Sequence, residues 1–222
     1  MNQLFECVPL TSDVRHIEQI RAFVIDREKE VSCREDKIIG LESYLKRCAW
    51  DDDLNRQVRI YLIKDTHTGE IAAYFGLKAG MVVNSEDGMP TEEEKKEIMK
   101  EFGAKLLPEV APGIEISHFA VNDEYRRHAG QNGRPVKGLG AYFYPTFIYP
   151  IIEDVADKIG VSMIYLYAAG DEHLERYYEK VFQFQVLDSD DFYIPLEPGY
   201  DGGCKFMYRL LLEKMPVAVN DL

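Results

Sequence analysis

The sequence predicts a mixed α/β domain, with a central, mostly antiparallel sheet of about seven strands flanked by helices. Three observations predict it. Apolar residues make up 46% of 222 residues, enough for one sizeable core. Period-2 and period-3.6 segments follow the order β, two helices, a β meander, then β-α-β-α-β-β. Residues 1–212 read as one domain, with no interdomain linker, and residues 213–222 as a patternless tail.

Leu4 to Leu10 reads as the first strand. Thr11, Ser12 and Asp13 offer capping oxygens for a helix whose Ile17, Ile20 and Val24 share a face. A second amphipathic segment carries Ile38, Leu41, Leu45 and Cys48 and ends near Asp51, Asp52 and Asp53. Val58–Ile63 and Ile71–Leu77 form a hairpin across the turn Asp65–Gly69. Residues 81–108 read as an insertion between the third and fourth strands, with Thr91 and Glu94 as a capping-box pair for a helix to about Gly103. Ile114–Val121 is the fourth strand. A long glycine-containing loop then leads to a helix from Gly138 to Lys158, where Pro145 and Pro150 each remove a backbone donor and predict a kink or a late start. Met163–Ala168 is a buried strand, Asp171–Phe182 a helix, and Phe184–Leu187 and Lys205–Leu212 the closing strands, joined by an acidic and aromatic loop over 188–203.

Composition excludes several classes. The longest apolar run falls short of the roughly 18 residues a membrane span needs. Met1–Glu6 lacks the basic and apolar segments of a secretory signal, and Cys7, Cys33, Cys48 and Cys204 are scattered without CxxC spacing, so reduced thiols and a cytoplasmic location are expected. A net charge of −13 opposes phosphate-backbone binding, so no nucleic-acid or membrane partner is expected; an acidic surface instead suits a cationic acceptor. His16, His67, His118, His128 and His173 pair neither with one another nor with cysteine at ligand spacing, so no metal site is expected.

One stretch departs from the acidic background. No acidic residue stands between Glu124 and Glu153, while Arg126, Arg127, His128, Arg134 and Lys137 do, interleaved with Gly130, Gly133, Gly138 and Gly140. Glycines let backbone approach a ligand, and a loop opening a helix presents free N–H groups and a positive dipole end. After a strand and before a helix, that composition makes an anion cradle suited to a pyrophosphate.

Ile116-Ser-His-Phe-Ala-Val121, the turn through Tyr125-Arg126-Arg127, and Lys137-Gly138-Leu139-Gly140 together resemble the acetyl-CoA-binding segment of GNAT N-acetyltransferases. Ile164–Ala169, Asp171 and Tyr177-Tyr178-Glu179-Lys180 resemble that family's second signature, a buried strand followed by a helix bearing Leu-Tyr-Glu-Lys. The sequence departs from the pattern at Pro135, where Gln or Arg usually begins the loop motif, at Asp171 for Asn, and at Gln183, where a Gly-Phe turn is common.

The resemblance implies a GNAT fold with splayed fourth and fifth strands, acetyl-CoA as cofactor, and direct acetyl transfer to a primary amine of a small molecule or peptide. It implies that Arg126, Arg127, Arg134, Lys137, Gly138, Leu139, Gly140 and Ala141 surround the phosphates, with Asp171 nearby. The backbones of Phe119 and Val121 would hold the pantetheine and polarise the carbonyl. Tyr178 would protonate the departing sulfur, with Tyr177 in reserve, while Glu115 or His118 would accept the amine's proton. A homodimer accords with such a fold. Two other readings compete: a non-catalytic acyl-CoA-binding regulator, and a toxin acetylating charged transfer RNA, against which the net charge argues.

Overall fold

Consecutive strands that alternate apolar and polar residues zip into the hairpins the sequence predicts, and one sheet results. The computed structural model describes residues 4–26, 40–84, 93, 96, 110–131, 137–169, 172–187, 193–195 and 204–211. Its strands are β1 (Phe5–Pro9), β2 (Arg59–Asp65), β3 (Ile71–Asn84), β4 (Val110–Val121), β5 (Met163–Ala169), β6 (Gln185–Val186), β7 (Tyr193–Pro195) and β8 (Cys204–Leu210). They lie in the order β1-β2-β3-β4-β5-β8-β6, with β7 beside β3. Every pairing is antiparallel except β4–β5. This is the mixed, mostly antiparallel sheet expected.

The helices are α1 (His16–Gln19), α2 (Leu41–Arg47), α3 (Ala49–Leu54), α4 (Asp123–Gln131), α5 (Leu139–Phe143), α6 (Tyr149–Ile159) and α7 (Glu172–Tyr177). Alternation, shifted by one residue at Ser117, sends Ile114, Ile116, Phe119 and Val121 of β4 to one face, where they meet Tyr125, Leu139, Phe143, Ile148, Ile152 and Phe182 in the main core. The other face carries two smaller clusters. Ile60, Leu62, Tyr74 and Ala120 pack against Phe23, Tyr44, Leu45 and Ala49 from the first helices. Val82, Ala111, Met163 and Tyr165 gather with Tyr167, Phe206, Tyr208 and Leu210 farther along.

The β2–β3 turn is built as expected. Asp65 Oδ1 accepts from the amides of His67 at 2.8 Å and Thr68 at 3.2 Å, and Gly69 takes the left-handed φ of 73°. Elsewhere the structure departs from the sequence reading. Arg126, Arg127 and His128 lie on helix α4 rather than in a loop. Asn122 Oδ1 accepts from the Glu124 amide at 3.0 Å, and Asp123 and Glu124 in the first turn pair with Arg126 and Arg127 three residues on. Residues 81–84, expected to begin an insertion, continue β3 as far as the Val83–Val110 pair. The expected capping-box helix lies outside the described residues apart from Glu93 and Lys96, both helical. A short strand, β7, forms within the span expected to be loop.

The two prolines interrupt the long helix by a change of register. Between α5 and α6, Tyr144–Ile148 forms a π-turn that includes Pro145, and the Tyr149 amide reaches back to the Tyr144 carbonyl. The wider turn removes the need for the donor proline lacks. The cysteines correct a further expectation. Cys7 and Cys48 are free thiols, and Cys204 is disulfide-bonded.

Candidate active site

The site begins where the sheet fails to close. Among the described residues, β4 pairs with β5 only at Gly113–Met163, Ile114–Ile164 and Glu115–Tyr165, although both strands continue beyond. From Ile116 onward the two splay apart. On its other side β4 stays paired with β3, but the register slips so that Ile116 faces Leu77 and His118 faces Gly76, leaving Ser117 as a bulge. The extra residue inverts the sequence parity of the alternation, so that Phe119 and Val121 join Ile114 and Ile116 on the main core while Ala120, and with it His118, turns to the opposite face.

Helix α5 opens at the same end of the crevice. Gly138, its N-cap, is left-handed at φ 71°, and the first helical bond runs from the Tyr142 amide to the Gly138 carbonyl at 3.0 Å. The amides of Leu139, Gly140 and Ala141 precede that bond, so they are the orphan donors of the helix start. Gly140 is closely approached by two aromatic side chains. A methyl placed there would stand 3.2 Å from the Tyr177 hydroxyl and 3.8 Å from the Phe119 ring. Leu139 is buried, and Lys137 is exposed beside the turn.

The basic island divides. Arg126 donates from Nη1 to Asp123 at 3.2 Å, its Nε is buried with no hydrogen-bond partner among the described residues, and its charge acts on Tyr177. Arg127 instead pairs with Glu124 and, at 3.1 Å, with Asp26. His128 lies between Glu70 and Glu124, 2.9 Å from each. Arg134 and Asp171 lie outside the described residues.

Tyr178 begins a second π-turn, Tyr178–Phe182, that continues α7 and ends at Gln183, left-handed at φ 62° where the family pattern has glycine. Tyr178 packs on Phe182 and Phe184, with centroids 5.5 and 6.2 Å away, and burial pushes its phenol up to about 12. Burial also raises Tyr177, opposed by the nearby Arg126 charge. Arg209 of β8 fixes the end of this turn, donating to the Phe182 carbonyl at 3.1 Å while lying 4.6 Å over the Tyr149 ring.

Both base candidates stand on the face opposite the main core. Glu115 is 8% exposed, faces Lys78 across β3 and has Tyr165 Oη 3.5 Å from its Oε2. His118 is stacked by Tyr44, its Nδ1 is 3.0 Å from Ser117 Oγ, and burial aided by the Lys78 charge pushes it down to about 4. It is therefore neutral at pH 7, but a weak proton acceptor. Tyr44 and Tyr165 were not singled out from the sequence; isolated glycines within β3 and β4, Gly80 and Gly113, were the available signal for the second. Among the described residues no cluster of histidine, cysteine and carboxylates could hold a metal.

No family model matches the chain, and no curated protein matches it. Solved structures do. A structure described as AtaT complexed with acetyl-methionyl-tRNAfMet superposes with a TM-score of 0.55 at 13% identity, over 86% of this chain and 94% of that one. A bacterial toxin gives 0.56 at 12% identity, over 93% and 90%. AtaTR bound with AcCoA gives 0.50 at 13% identity, over 86% and 93%. At these identities the likeness is one of fold, and the fold is the GNAT fold that the sequence resembles.

Proposed function

We propose that the protein is an N-acetyltransferase that takes the acetyl group of acetyl-CoA and transfers it directly to a primary amine of a small molecule or peptide. The observation that carries this reading is the crevice between β4 and β5, opening at Glu115 beside the orphan amides of Leu139, Gly140 and Ala141. Those amides, Arg126 and Lys137 would bind the diphosphate, and Tyr177 stands at Gly140 to add a hydroxyl. The β4 edge from Ile116 to Val121 offers backbone to the pantetheine. Acetyl-CoA, when bound, supplies an activated thioester.

The remaining chemistry belongs to the chain. Glu115 accepts the proton that the ammonium must lose before its nitrogen can bond to the acyl carbon, and as the C–S bond breaks Tyr178 gives its phenolic proton to the sulfur. A phenol held near 12 stays protonated through the neutral range, as a proton donor requires. Solvent clears the first nitrogen proton from Glu115, which then takes the second as the adduct collapses to the amide and passes it to solvent. Solvent also restores the proton to Tyr178, so one proton is released per turnover.

The fold neighbour solved with acetyl-methionyl-tRNAfMet keeps charged transfer RNA as a second acceptor to test. The net charge of −13 favours a small cationic amine over that polyanion. A thiol-trapping dye, acetyl-CoA and a panel containing polyamines, aminoglycosides, peptides and aminoacyl-tRNA decide between them. CoA release that depends on an amine supports the enzyme; binding of acetyl-CoA without release on any amine supports an acyl-CoA-binding regulator instead.

A further inference from the structure

We infer that Tyr165 is a positioning residue for Glu115, laid across the sheet by a slot that Gly80 and Gly113 leave open. The inference rests on the reading of Glu115 as the group that receives the acceptor amine's proton.

Gly80 and Gly113 are directly opposed on β3 and β4. Glycine weakens a strand interior, so two facing one another mark a place where something else approaches the backbone. That group is the Tyr165 ring. A methyl on Gly80 would lie 1.7 Å from the Tyr165 hydroxyl oxygen, and one on Gly113 would lie 2.8 Å from its ring carbon Cε1. The ring therefore leaves β5 and crosses β4 to reach β3, and it is 4% exposed.

Its hydroxyl stands 3.5 Å from Glu115 Oε2, and Glu115–Tyr165 is the last rung before β4 and β5 part. A phenol donating here favours the ionised carboxylate and restricts its side chain at the mouth of the crevice. Among the described residues, Lys78 of β3 is paired opposite Glu115 and Tyr165 of β5 lies beside it, while His118 follows on β4 itself. Lys78 supplies charge, while Tyr165 supplies direction.

The experiment is a carboxyl titration by carbon NMR of the full chain labelled at glutamate, with Glu115→Gln identifying the resonance. It is paired with the pH profile of kcat/KM on the best amine of the panel. Tyr165→Phe keeps the ring and removes only the hydroxyl. The expected result is a Glu115 midpoint raised by about 0.5–1 pH unit, with the acidic limb of the profile moving equally and acetyl-CoA affinity unchanged. Gly80→Ala, which displaces the ring, should move the midpoint the same way. An unmoved Glu115 resonance in Tyr165→Phe overturns the inference. If no amine supports turnover, the enzyme reading fails, and the titration still decides whether Tyr165 governs Glu115.

Discussion

Tyr44 lies flat on His118, the ring centroids 3.7 Å apart and the planes 8° from parallel. Helix α2 thereby covers one face of an imidazole of β4, and burial together with the Lys78 charge lowers its pKa to about 4. Because the folded value lies below the ordinary imidazole value of 6.5, the unfolded chain binds more protons between those limits. Stability should therefore fall as pH drops from 6.5 toward 4, by on the order of 3 kcal/mol at the acid end. Denaturant titrations of wild type and His118→Gln across that range check it; equal pH slopes would refute the assignment.

The tyrosine pair should split by function. Tyr178→Phe is expected to lower kcat at least tenfold while leaving acetyl-CoA affinity near wild type, and Tyr177→Phe to weaken that affinity several-fold. Steady-state kinetics with calorimetric binding separate the two. The opposite pattern would exchange their roles.

Gly140 is exacting for space and Gly138 for backbone. Gly140→Val should weaken acetyl-CoA binding, since its Cβ would already crowd the Tyr177 hydroxyl at 3.2 Å. Gly138→Ala meets nothing within 4 Å, so its penalty is the left-handed φ alone, about 1–2 kcal/mol in a melting experiment.

His128 should act as a pH-dependent clasp. Its hydrogen bond to Glu70, with the Glu124 charge, raises its pKa, so the contribution is present below the unfolded pKa and lost as pH rises through the folded one. Amide exchange in α4 should quicken above that value and become pH-insensitive in His128→Gln, apart from intrinsic exchange chemistry.

Arg209→Met removes the donor at the Phe182 carbonyl and the cation over Tyr149. Loss of about 1–3 kcal/mol of stability is expected, together with a lower kcat, because the turn beginning at Tyr178 loses its anchor. Chemical denaturation beside kinetics measures both.

What could be read in advance follows the range of the interactions. The hairpin at Asp65–Gly69 and the strand carrying Ile114 and Ile116 announce themselves through local turn chemistry and alternation, so they were legible. Helix α4 was legible too, through Asn122, Asp123 and Glu124, but the glycines beyond it invited a loop. Nothing local reveals that Arg127 turns to Asp26 or that Tyr44 covers His118, because each contact joins segments far apart in sequence. The same holds for Tyr165 over Gly80, a contact made only once β3, β4 and β5 are side by side. The ladder from Val82 to Asn84 onto β7 escaped for a similar reason, since its partner carries only three residues.

The short union of β4 with β5 sets a limit on how far this protein can be improved as a solid object. Each additional rung beyond Glu115 would knit the two halves of the sheet more firmly and raise the melting temperature. It would also consume the backbone edge that the proposed function assigns to the pantetheine. Selection for rigidity alone would therefore drive the crevice shut, and variants chosen only for heat resistance should include some in which catalysis has disappeared.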